Sequence, residues 1–341
     1  MSTPNSMPST CASALLRVRG LTVSYDARDH QPAPALRQVD LEIAPGEIVG
    51  ILGESGSGKS TLALSILGLL PESAQVEGSI FLQGENLSSL AEARWAAVRG
   101  ARIAMIFQEP GLALSPVMRA GDQIGEVIRA HRSQGSRQRK QEVQSALKDA
   151  GIADVERIYR AYPHQLSGGE LHRVAIAQAL VCRPALVIAD EPTRSLDVTM
   201  QSEIQNALLD IHRKYGSALL FITHNPALLA GFADRVLVMY AGRIVEAGPV
   251  AQMYRRPLHP YTRGLLQLVP EPVMHSGHIS GFARRERLAA IPGSLTRFDP
   301  LGLGCAFEPR CSARTANCQI ESPEEIAPEP DRRVSCFNYG N

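Results

Sequence analysis

The chain has 341 residues, of which 44% are hydrophobic, so it is long and apolar enough to bury a sizeable core. Its 35 basic and 34 acidic side chains give a formal net charge of +1, which argues against a polyanion such as nucleic acid as its partner. The apolar runs fall short of the roughly 18 residues that a transmembrane helix needs, so we expect membrane association to go through another protein.

The N-terminal region divides into a polar tail and two predicted strands. Residues 1–14 are rich in Ser, Thr and Pro and have neither the basic start nor the apolar stretch of a secretory signal, so we expect a disordered cytosolic tail. Two runs follow, LRVRGLTVSY from Leu16 and LRQVDLEI from Leu36. Both are rich in β-branched and apolar residues, which predicts strands.

An α/β core is predicted to follow. The run EIVGILG at 47–53 is apolar and ends in glycine, and KSTLALSILGLL at 59–70 has helical spacing. Together they indicate a strand, a glycine loop and a helix. Between residues 119 and 179 the pattern is mainly helical and charged, which predicts a helical subdomain inserted into the core.

Two further apolar runs complete the predicted core. ALVIADE at 185–191 and ALLFITH at 218–224 end in polar residues, as buried parallel strands do, and a helical pattern separates them. After Gly248 the chain becomes rich in Pro and Arg without strong periodicity. We therefore place a domain boundary near Pro249.

The glycine loop carries the first motif with chemical meaning. It fits the Walker A pattern and sits between a strand and a helix, as that pattern requires; it consists of Gly53, Glu54, Ser55, Gly56, Ser57, Gly58, Lys59 and Ser60, with Thr61 next. Its glycines allow backbone N–H groups to surround the phosphates of ATP, with the helix N-terminus behind them. Lys59 then reaches the β and γ phosphates and Ser60 ligates Mg²⁺. A ligand-free Gly/Ser turn is the alternative.

Two acids end the predicted strand LVIAD. Asp190 and Glu191 lie where a doubly wound sheet presents its ligand groups. Asp190 is interpreted as a partner of Mg²⁺, and Glu191 as the base that orients the attacking water. A solvated strand end is the alternative, but the preceding Walker A loop argues against it.

The segment LSGGE at 166–170 resembles the signature loop of ABC ATPases. The resemblance implies that Ser167, Gly168 and Gly169 open a helix that faces the γ-phosphate held by an opposite subunit, so catalysis needs a dimer. The same residues also read as a helix N-cap.

The resemblance covers residues 15–248 and implies an α/β fold of the P-loop NTPase type. It implies a core with an N-terminal antiparallel β subdomain and an inserted helical subdomain at about 115–180. A cysteine-rich C-terminal extension at 249–341 would follow.

Four further positions occur in the order that the family has them. Gln108 in MIFQEP matches the Q-loop glutamine, which contacts Mg²⁺, and Asp197 in SLD matches the D-loop. His224 in FITHN matches the switch histidine that contacts the γ-phosphate, and Tyr25 matches the aromatic residue that stacks on adenine. The structural alternatives are a polar strand end, a helix N-cap, a structural histidine and a core aromatic residue, respectively.

The C-terminal region narrows the resemblance to the dipeptide, oligopeptide and nickel importers. The similar segments are RP at Arg256, HPYT at His259, IPGS at Ile291 and GCAFEPRCSARTANC, with a final cysteine in VSCF. The resemblance implies a peptide as cargo, with nickel or another small solute as the alternative.

Four cysteines of this region form a candidate metal site: Cys305, Cys311, Cys318 and Cys336. Their spacing lacks the paired C-x₂-C of common zinc modules, and four thiolates suffice for a [4Fe–4S] cluster. Spacing alone leaves zinc and free thiols open, whereas the resemblance implies the iron–sulfur cluster. A metal there would cross-link a segment too poor in apolar residues to fold alone.

Several positions depart from the usual pattern of this branch. Glu170 stands where Gln is common, Leu171 and His172 where Arg-Gln is common, Arg194 where Thr is common, and Asn225 where Asp is common. None removes a group assigned to chemistry. Since Arg194 directly precedes the D-loop, we expect its effect in contacts across the dimer.

The resulting hypothesis is an ATP-hydrolysing subunit of an ABC importer, peripheral to the cytoplasmic face of the inner membrane. The resemblance implies a second ATPase subunit that forms a heterodimer with this chain, two transmembrane permease subunits and an extracytoplasmic substrate-binding protein.

A soluble ABC ATPase that works on DNA or ribosomes is one rival hypothesis. Roughly 100 residues without sustained heptads separate Ser60 from Ser167, unlike the coiled-coil insertion of DNA-repair members, and ribosomal members carry two cassettes. A regulatory module without turnover is the other rival, and Glu191 and His224 argue against it.

Overall fold

The computed structural model describes most of the chain. The described ranges are 14–26, 32–194, 196–267, 272–275, 278–282, 291–293 and 303–339. The predicted tail therefore lies outside the described residues, apart from Ala14.

The strands of the described ranges run as follows: β1 Leu16–Asp26, β2 Pro32–Ile43, β3 Ile48–Leu52, β4 Ala74–Leu82, β5 Glu85–Asn86, β6 Ile103–Ile106, β7 Leu186–Asp190, β8 Ala218–Thr223, β9 Arg235–Tyr240, β10 Arg243–Pro249, β11 Pro272–His275, β12 His278–Phe282, β13 Ile326–Glu329 and β14 Arg332–Val334.

The helices of the same ranges are α1 Lys59–Ile66, α2 Glu92–Trp95, α3 Pro110–Ala113, α4 Ala120–His131, α5 Ser136–Asp149, α6 Val155–Arg160, α7 Gly168–Leu180, α8 Val198–Tyr215, α9 Val250–Arg255, α10 Pro260–Leu266 and α11 Asn317–Ile320. Among these described helices, none has both the length and the apolar character that crossing a bilayer requires.

The main sheet has the strand order β13-β14-β10-β9-β3-β8-β7-β6 over the described residues. Strands β9, β3, β8, β7 and β6 run parallel, and β10, β14 and β13 continue the sheet in antiparallel fashion. The five residues of β3 are all buried, because alternate side chains enter cores on opposite faces of the sheet. This two-sided burial explains why the parallel strands read as continuous apolar runs.

A second, antiparallel sheet with the order β2-β1-β4-β5 covers one face. In β1 the buried Leu16 and Val18 alternate with the exposed Arg17 and Arg19, as the two-residue period of a half-buried strand demands. The buried side joins α1 and the near face of β3, β7 and β8 in one core.

Helices α4 to α8 cover the other face. Ile124 and Ile128 of α4 pack in one core with Val143 and Leu147 of α5. Helix α8 begins at an Asp197 cap and ends at Gly216, whose φ of +70° suits glycine, so local chemistry sets both of its ends.

The C-terminal region shares the main sheet instead of standing beside it. Strand β14 pairs with β10 through Glu246 opposite Val334 and Ala247 opposite Arg333. Helices α9 and α10 follow β10 directly, where the sequence shows no strong periodicity. They are too short to display a repeat, and they dock by burying Met253 of α9 and Tyr261 of α10.

A buried ion pair fastens this sheet edge. The Arg332 and Glu246 side chains are 1% and 0% exposed, and Arg332 Nη2 lies 2.7 Å from Glu246 Oε1. The Glu246 carboxylate also accepts hydrogen bonds from the backbone N–H groups of Leu258 and His259, at 2.9 and 2.8 Å. Arg332 donates a further bond to the carbonyl of Arg256 at 2.8 Å. One carboxylate thus ties β10, the α9–α10 connection and β14 together.

Candidate functional site

The glycine loop connects β3 to α1 in the backbone conformation that a phosphate cradle needs. Gly58 has a φ of +104°, and a Cβ there would lie 2.7 Å from the carbonyl oxygen of Ala35. A Cβ on Gly53 would lie 2.4 Å from the carbonyl oxygen of Met239. Glycine is therefore required at both positions by conformation and close approach, independently of any ligand.

Lys59 is buried at the centre of this loop. Its Nζ donates hydrogen bonds to the carbonyl oxygens of Gly53 and Glu54, at 2.7 and 2.9 Å. Burial lowers the pKa of this ammonium, and the carboxylates of Glu191, Asp190 and Glu54 oppose the shift. The loop therefore holds a desolvated cation, which an anionic triphosphate would stabilise.

Asp190 ends β7 beside the first turn of α1. Its side chain is buried, and its Oδ1 has no hydrogen-bond partner among the described residues. Burial raises the pKa of Asp190, although Ser60 and Lys59 oppose this. An unpartnered buried carboxylate oxygen next to a hydroxyl is a donor set that suits Mg²⁺.

The structure brings Glu191 and His224 together. Glu191 follows β7 and His224 follows the adjacent parallel strand β8, so both side chains emerge at the same sheet edge. His224 Nδ1 lies 2.8 Å from both carboxylate oxygens of Glu191. Glu191 has a φ of +50°, and such a conformation of a non-glycine residue costs about 1–3 kcal/mol and is characteristic of functional sites.

Gln108 lies just beyond β6 and contacts Arg194. With its amide oxygen turned toward the guanidinium, Gln108 accepts hydrogen bonds from Nη1 and from Nε, the latter at 3.3 Å. The backbone N–H of Arg194 also donates to the carbonyl oxygen of Glu191 at 3.0 Å. The arginine that departs from the family pattern thus contacts two predicted site residues of its own chain.

The predicted signature loop opens α7. Ser167 is the N-cap, accepting a hydrogen bond from Glu170 N at 3.3 Å, and the Glu170 carboxylate accepts one from Ser167 N at 2.9 Å. This capping box, together with an ion pair from Arg157, gives Glu170 a structural role. Ser167 and Gly168 are exposed. This helix N-terminus is therefore accessible to a ligand held by another subunit.

Two of the predicted residues stay at the margin of the site. Asp197 caps α8 and accepts a hydrogen bond from Met200 N at 3.1 Å, which is the structural alternative weighed for it. Tyr25 is partly buried against the core and pairs in register with Ala33 of β2. Ala35, two residues further on, approaches Gly58 of the glycine loop, so the strand that pairs with Tyr25 also contacts that loop.

The four predicted metal-ligand cysteines line one small cavity. Burial raises the pKa of Cys305 to about 11 and raises those of Cys311 and Cys336, so these thiols stay protonated at neutral pH unless a cation binds. Across the described residues, no group of three or more His, Cys, Asp or Glu side chains could hold a metal ion. The cavity thus gathers the four thiols, but not at the distances that a single bound metal ion requires.

Sequence reasoning missed a contact between this cysteine-rich region and the glycine loop. Arg310 makes a two-pronged ion pair with Glu54, with Nη1 at 2.7 Å from Oε2 and Nη2 at 3.0 Å from Oε1. The Tyr261 hydroxyl accepts a hydrogen bond from Glu54 N at 2.8 Å. The only signal in the sequence was a glutamate in the loop and a distant arginine, which no local pattern connects.

Comparisons with known proteins match both parts of the chain. A model described as ABC transporter matches residues 36–194, and one described as the C-terminal region of oligopeptide/dipeptide transporters matches residues 245–318. The oligopeptide transport ATP-binding protein AppD of Bacillus subtilis is 41% identical over 96% of this chain and 97% of its own length. A putative peptide import ATP-binding protein of Brucella ovis is 43% identical over 95% of this chain and 97% of its own.

A solved structure is also similar. It is a dimeric ATP-binding cassette in a post-hydrolysis state, bound to ADP and Pi, with a TM-score of 0.62 and 28% identity. The match covers 69% of this chain and 98% of that one. The fold is therefore the mixed α/β ATP-binding cassette, and the chain belongs to the ABC transporter ATP-binding proteins of the oligopeptide and dipeptide type.

Proposed function

We propose that this chain binds and hydrolyses ATP to drive peptide uptake by an ABC importer. The observation that carries the proposal is the Glu191–His224 pair at 2.8 Å, at the same sheet edge as the buried Lys59 and Asp190. The names of the relatives support peptides as cargo, and nickel or another small solute is the alternative. Retention of both Glu191 and His224 favours turnover over a purely regulatory role.

Each site residue has a distinct role in this proposal. Residues 53–61 enclose the phosphates, and Lys59 turns from the loop carbonyls to the β and γ oxygens. Ser60, Asp190 and Gln108 would hold Mg²⁺, which would supply positive charge to the phosphate oxygens. Glu191 orients the attacking water and accepts its proton, while His224 fixes the carboxylate and contacts the γ-phosphate. Tyr25 stacks on adenine.

The same proposal requires a second ATPase subunit. The exposed N-terminus of α7, with Ser167, Gly168 and Gly169, supports a site that faces a nucleotide on the partner, and Asp197 lies exposed for contact across the dimer. The similar solved cassette is itself dimeric. We propose a heterodimer, as the family resemblance implies.

Three exposed apolar side chains near the predicted Q-loop glutamine support docking to permease subunits. Phe107, Leu112 and Val117 are large apolar side chains that remain exposed although they lie within a short segment beside Gln108. Large apolar side chains left exposed in one short segment favour a protein contact there. We propose that two permeases dock here, supplied by an extracytoplasmic binding protein, with this chain peripheral to the cytoplasmic face of the inner membrane.

The proposed organisation keeps residues 15–248 as the cassette, with a helical subdomain at about 115–180, and 249–341 as an extension. A [4Fe–4S] cluster on Cys305, Cys311, Cys318 and Cys336 belongs to this proposal. The convergence of four thiols on one cavity supports it, and a four-iron cluster holds its ligating sulfurs farther apart than one ion does.

The cluster is tested by iron and acid-labile sulfide analysis of the full chain purified without air. We expect about four of each per chain, and loss of both in Cys318→Ser. Cys182→Ser is the matched control, because Cys182 is buried elsewhere, in the core of the cassette. Zinc instead of iron, or no bound metal at all, would refute the cluster and leave the ATPase proposal standing.

The transport function is tested with the complex of ATPase, permease and binding protein in sealed vesicles. We expect ATP-dependent accumulation of an oligopeptide, and none with Glu191→Gln. Uptake of nickel but not peptide would select the alternative cargo. ATP hydrolysis that is stimulated by DNA or ribosomes and not by the permeases would refute the transport role.

A further inference from the structure

We propose that Arg310 of the cysteine-rich extension is a positioning residue for the ATP site, holding Glu54 in place and neutralising its charge beside the nucleotide phosphates. The proposal rests on the proposed ATP-binding function and assigns a role in it to the extension. It is carried by the contacts around Arg310 and around Glu54.

Arg310 is built into a nearly closed site. Its side chain is only 8% exposed. Besides the two-pronged ion pair with Glu54, its Nε donates to the carbonyl oxygen of Pro292 at 2.7 Å and its Nη2 to that of Gly293 at 3.2 Å. The Tyr240 hydroxyl accepts a longer bond at 3.4 Å. A guanidinium with this many fixed partners has one orientation, so it can hold a carboxylate rigidly.

Glu54 is held on all three of its polar groups. Its carboxylate is bound by Arg310, its N–H donates to the Tyr261 hydroxyl, and its carbonyl oxygen accepts from Lys59. Two of these three partners come from the region after residue 249, and the third is the proposed phosphate-binding lysine. The second residue of the glycine loop is therefore positioned by the extension.

The support continues to the cysteine cavity. Arg310 lies in the short turn between Cys305 and Cys311, and its backbone N–H donates to the carbonyl oxygen of Phe307 at 3.0 Å. The Phe307 ring packs against Tyr240 and Tyr261, with ring centroids 5.2 and 5.4 Å apart. The same turn that presents two thiols to the cavity thus presents Arg310 to the glycine loop.

Electrostatics gives the contact a consequence for nucleotide binding. Glu54 is in direct contact with Lys59, whose Nζ donates to the Glu54 carbonyl oxygen at 2.9 Å, so the Glu54 carboxylate carries its charge close to this ammonium. A carboxylate that attracts this cation also repels the phosphates that the cation binds. Arg310 cancels that repulsion, so its loss weakens ATP binding more than loss of the Glu54 charge does.

The experiment compares Arg310→Ala, Glu54→Gln and their double variant in the full-length chain. Calorimetric titration gives the Kd for Mg-ATP, and steady-state assays of the transporter complex give KM and kcat. We expect Arg310→Ala to raise Kd and KM about tenfold, equivalent to about 1.4 kcal/mol, with kcat changed less than about twofold. We expect Glu54→Gln to raise Kd less than Arg310→Ala does, and the double variant to bind Mg-ATP more tightly than Arg310→Ala alone.

The matched control is Arg314→Ala. Arg314 lies in the same region, but its side chain is 58% exposed and its ion pair, at 3.3 Å, is with Glu308 of the extension and not with the glycine loop. We expect its Kd to match the wild type. If Arg310→Ala does not fold, as judged by thermal melting, Arg310→Gln replaces it in the same comparison.

A double variant that binds ATP no better than Arg310→Ala would overturn the neutralising role, and a Kd for Arg310→Ala within twofold of the wild type would overturn the proposal entirely. A loss of kcat at unchanged KM would also contradict it. Failure of the wild type to bind Mg-ATP would instead refute the proposed function.

Discussion

Replacement of Arg332 by alanine should destabilise the chain by about 3–5 kcal/mol, the cost typical of removing one partner from a buried ion pair. The structure supports that range. The change deletes two hydrogen bonds below 3 Å, to Glu246 and to the carbonyl of Arg256, and bonds that involve a charged group contribute about 1.5–3 kcal/mol each. It also leaves the fully buried Glu246 carboxylate without its counterion.

The assay is equilibrium urea denaturation of the full-length chain, with Arg333→Ala as the matched control. Arg333 is the next residue of β14, but its side chain is 33% exposed and pairs with the exposed Glu325, so its loss should cost less than about 1 kcal/mol. A free energy of unfolding for Arg332→Ala within 1 kcal/mol of that for Arg333→Ala would refute the reasoning.

Three further substitutions test two residues near the proposed ATP site and one ion pair between α5 and α8. Glu191→Gln should still bind Mg-ATP but lower kcat by about 10²–10⁴, because it removes the proposed base. Arg194→Thr should tighten the apparent affinity for Mg²⁺ in the ATPase assay, because Arg194 otherwise engages the oxygen of Gln108 that the metal needs. Asp149→Asn should cost about 1–2 kcal/mol at pH 7, because Lys214 binds this carboxylate at 2.6 Å, and the deficit should shrink as the pH falls.

The sign of the last effect follows from the pKa of Asp149. Burial alone would raise this pKa, but hydrogen bonds from Lys214 and Tyr215 outweigh burial and lower it. A depressed carboxyl pKa contributes stability above the unfolded value near 4 and loses it as the pH falls through the folded value. Urea titrations at pH 7 and pH 3 should show the difference, and a constant deficit would contradict the assignment.

Controls separate these effects from general damage. Asp210→Asn is the control for Asp149, because Asp210 forms only an exposed pair with Arg213 on the same helix as Lys214. Arg194→Lys retains the charge but not the guanidinium, so an unchanged Mg²⁺ dependence in Arg194→Thr and Arg194→Lys alike would exclude competition for Gln108. ATP turnover by Glu191→Gln at the wild-type rate would exclude the role of Glu191.

The sequence could predict the site because each of its parts is a short, contiguous pattern at the end of an element. The proximity of Glu191 and His224 follows from one rule, that adjacent parallel strands present their carboxyl ends together. The glycine loop can be predicted equally well, because a positive φ at Gly58 and the close approach of neighbouring backbone at Gly53 and Gly58 require glycine. Local chemistry was sufficient in these cases.

The contacts of the extension could not be predicted in the same way. Glu54 and Arg310 are 256 positions apart, and the residues around each indicate only a loop and a turn. Helices α9 and α10 are too short for periodicity to register. Their position depends on Glu246, a buried carboxylate of β10 whose partners lie in two other segments, residues 258–259 and Arg332. These contacts join residues that are far apart in the sequence, so no local sequence pattern predicts them.

The pairing of β14 with β10 has a consequence for any shortened form of this protein. A chain cut after Gly248 would leave β10 at the edge of the sheet with unpaired N–H and C=O groups, and Glu246 would lose its partners. Exposed margins of this kind recruit strands from other molecules. The cassette removed from its extension would therefore tend to self-associate into aggregates instead of persisting as a smaller monomer.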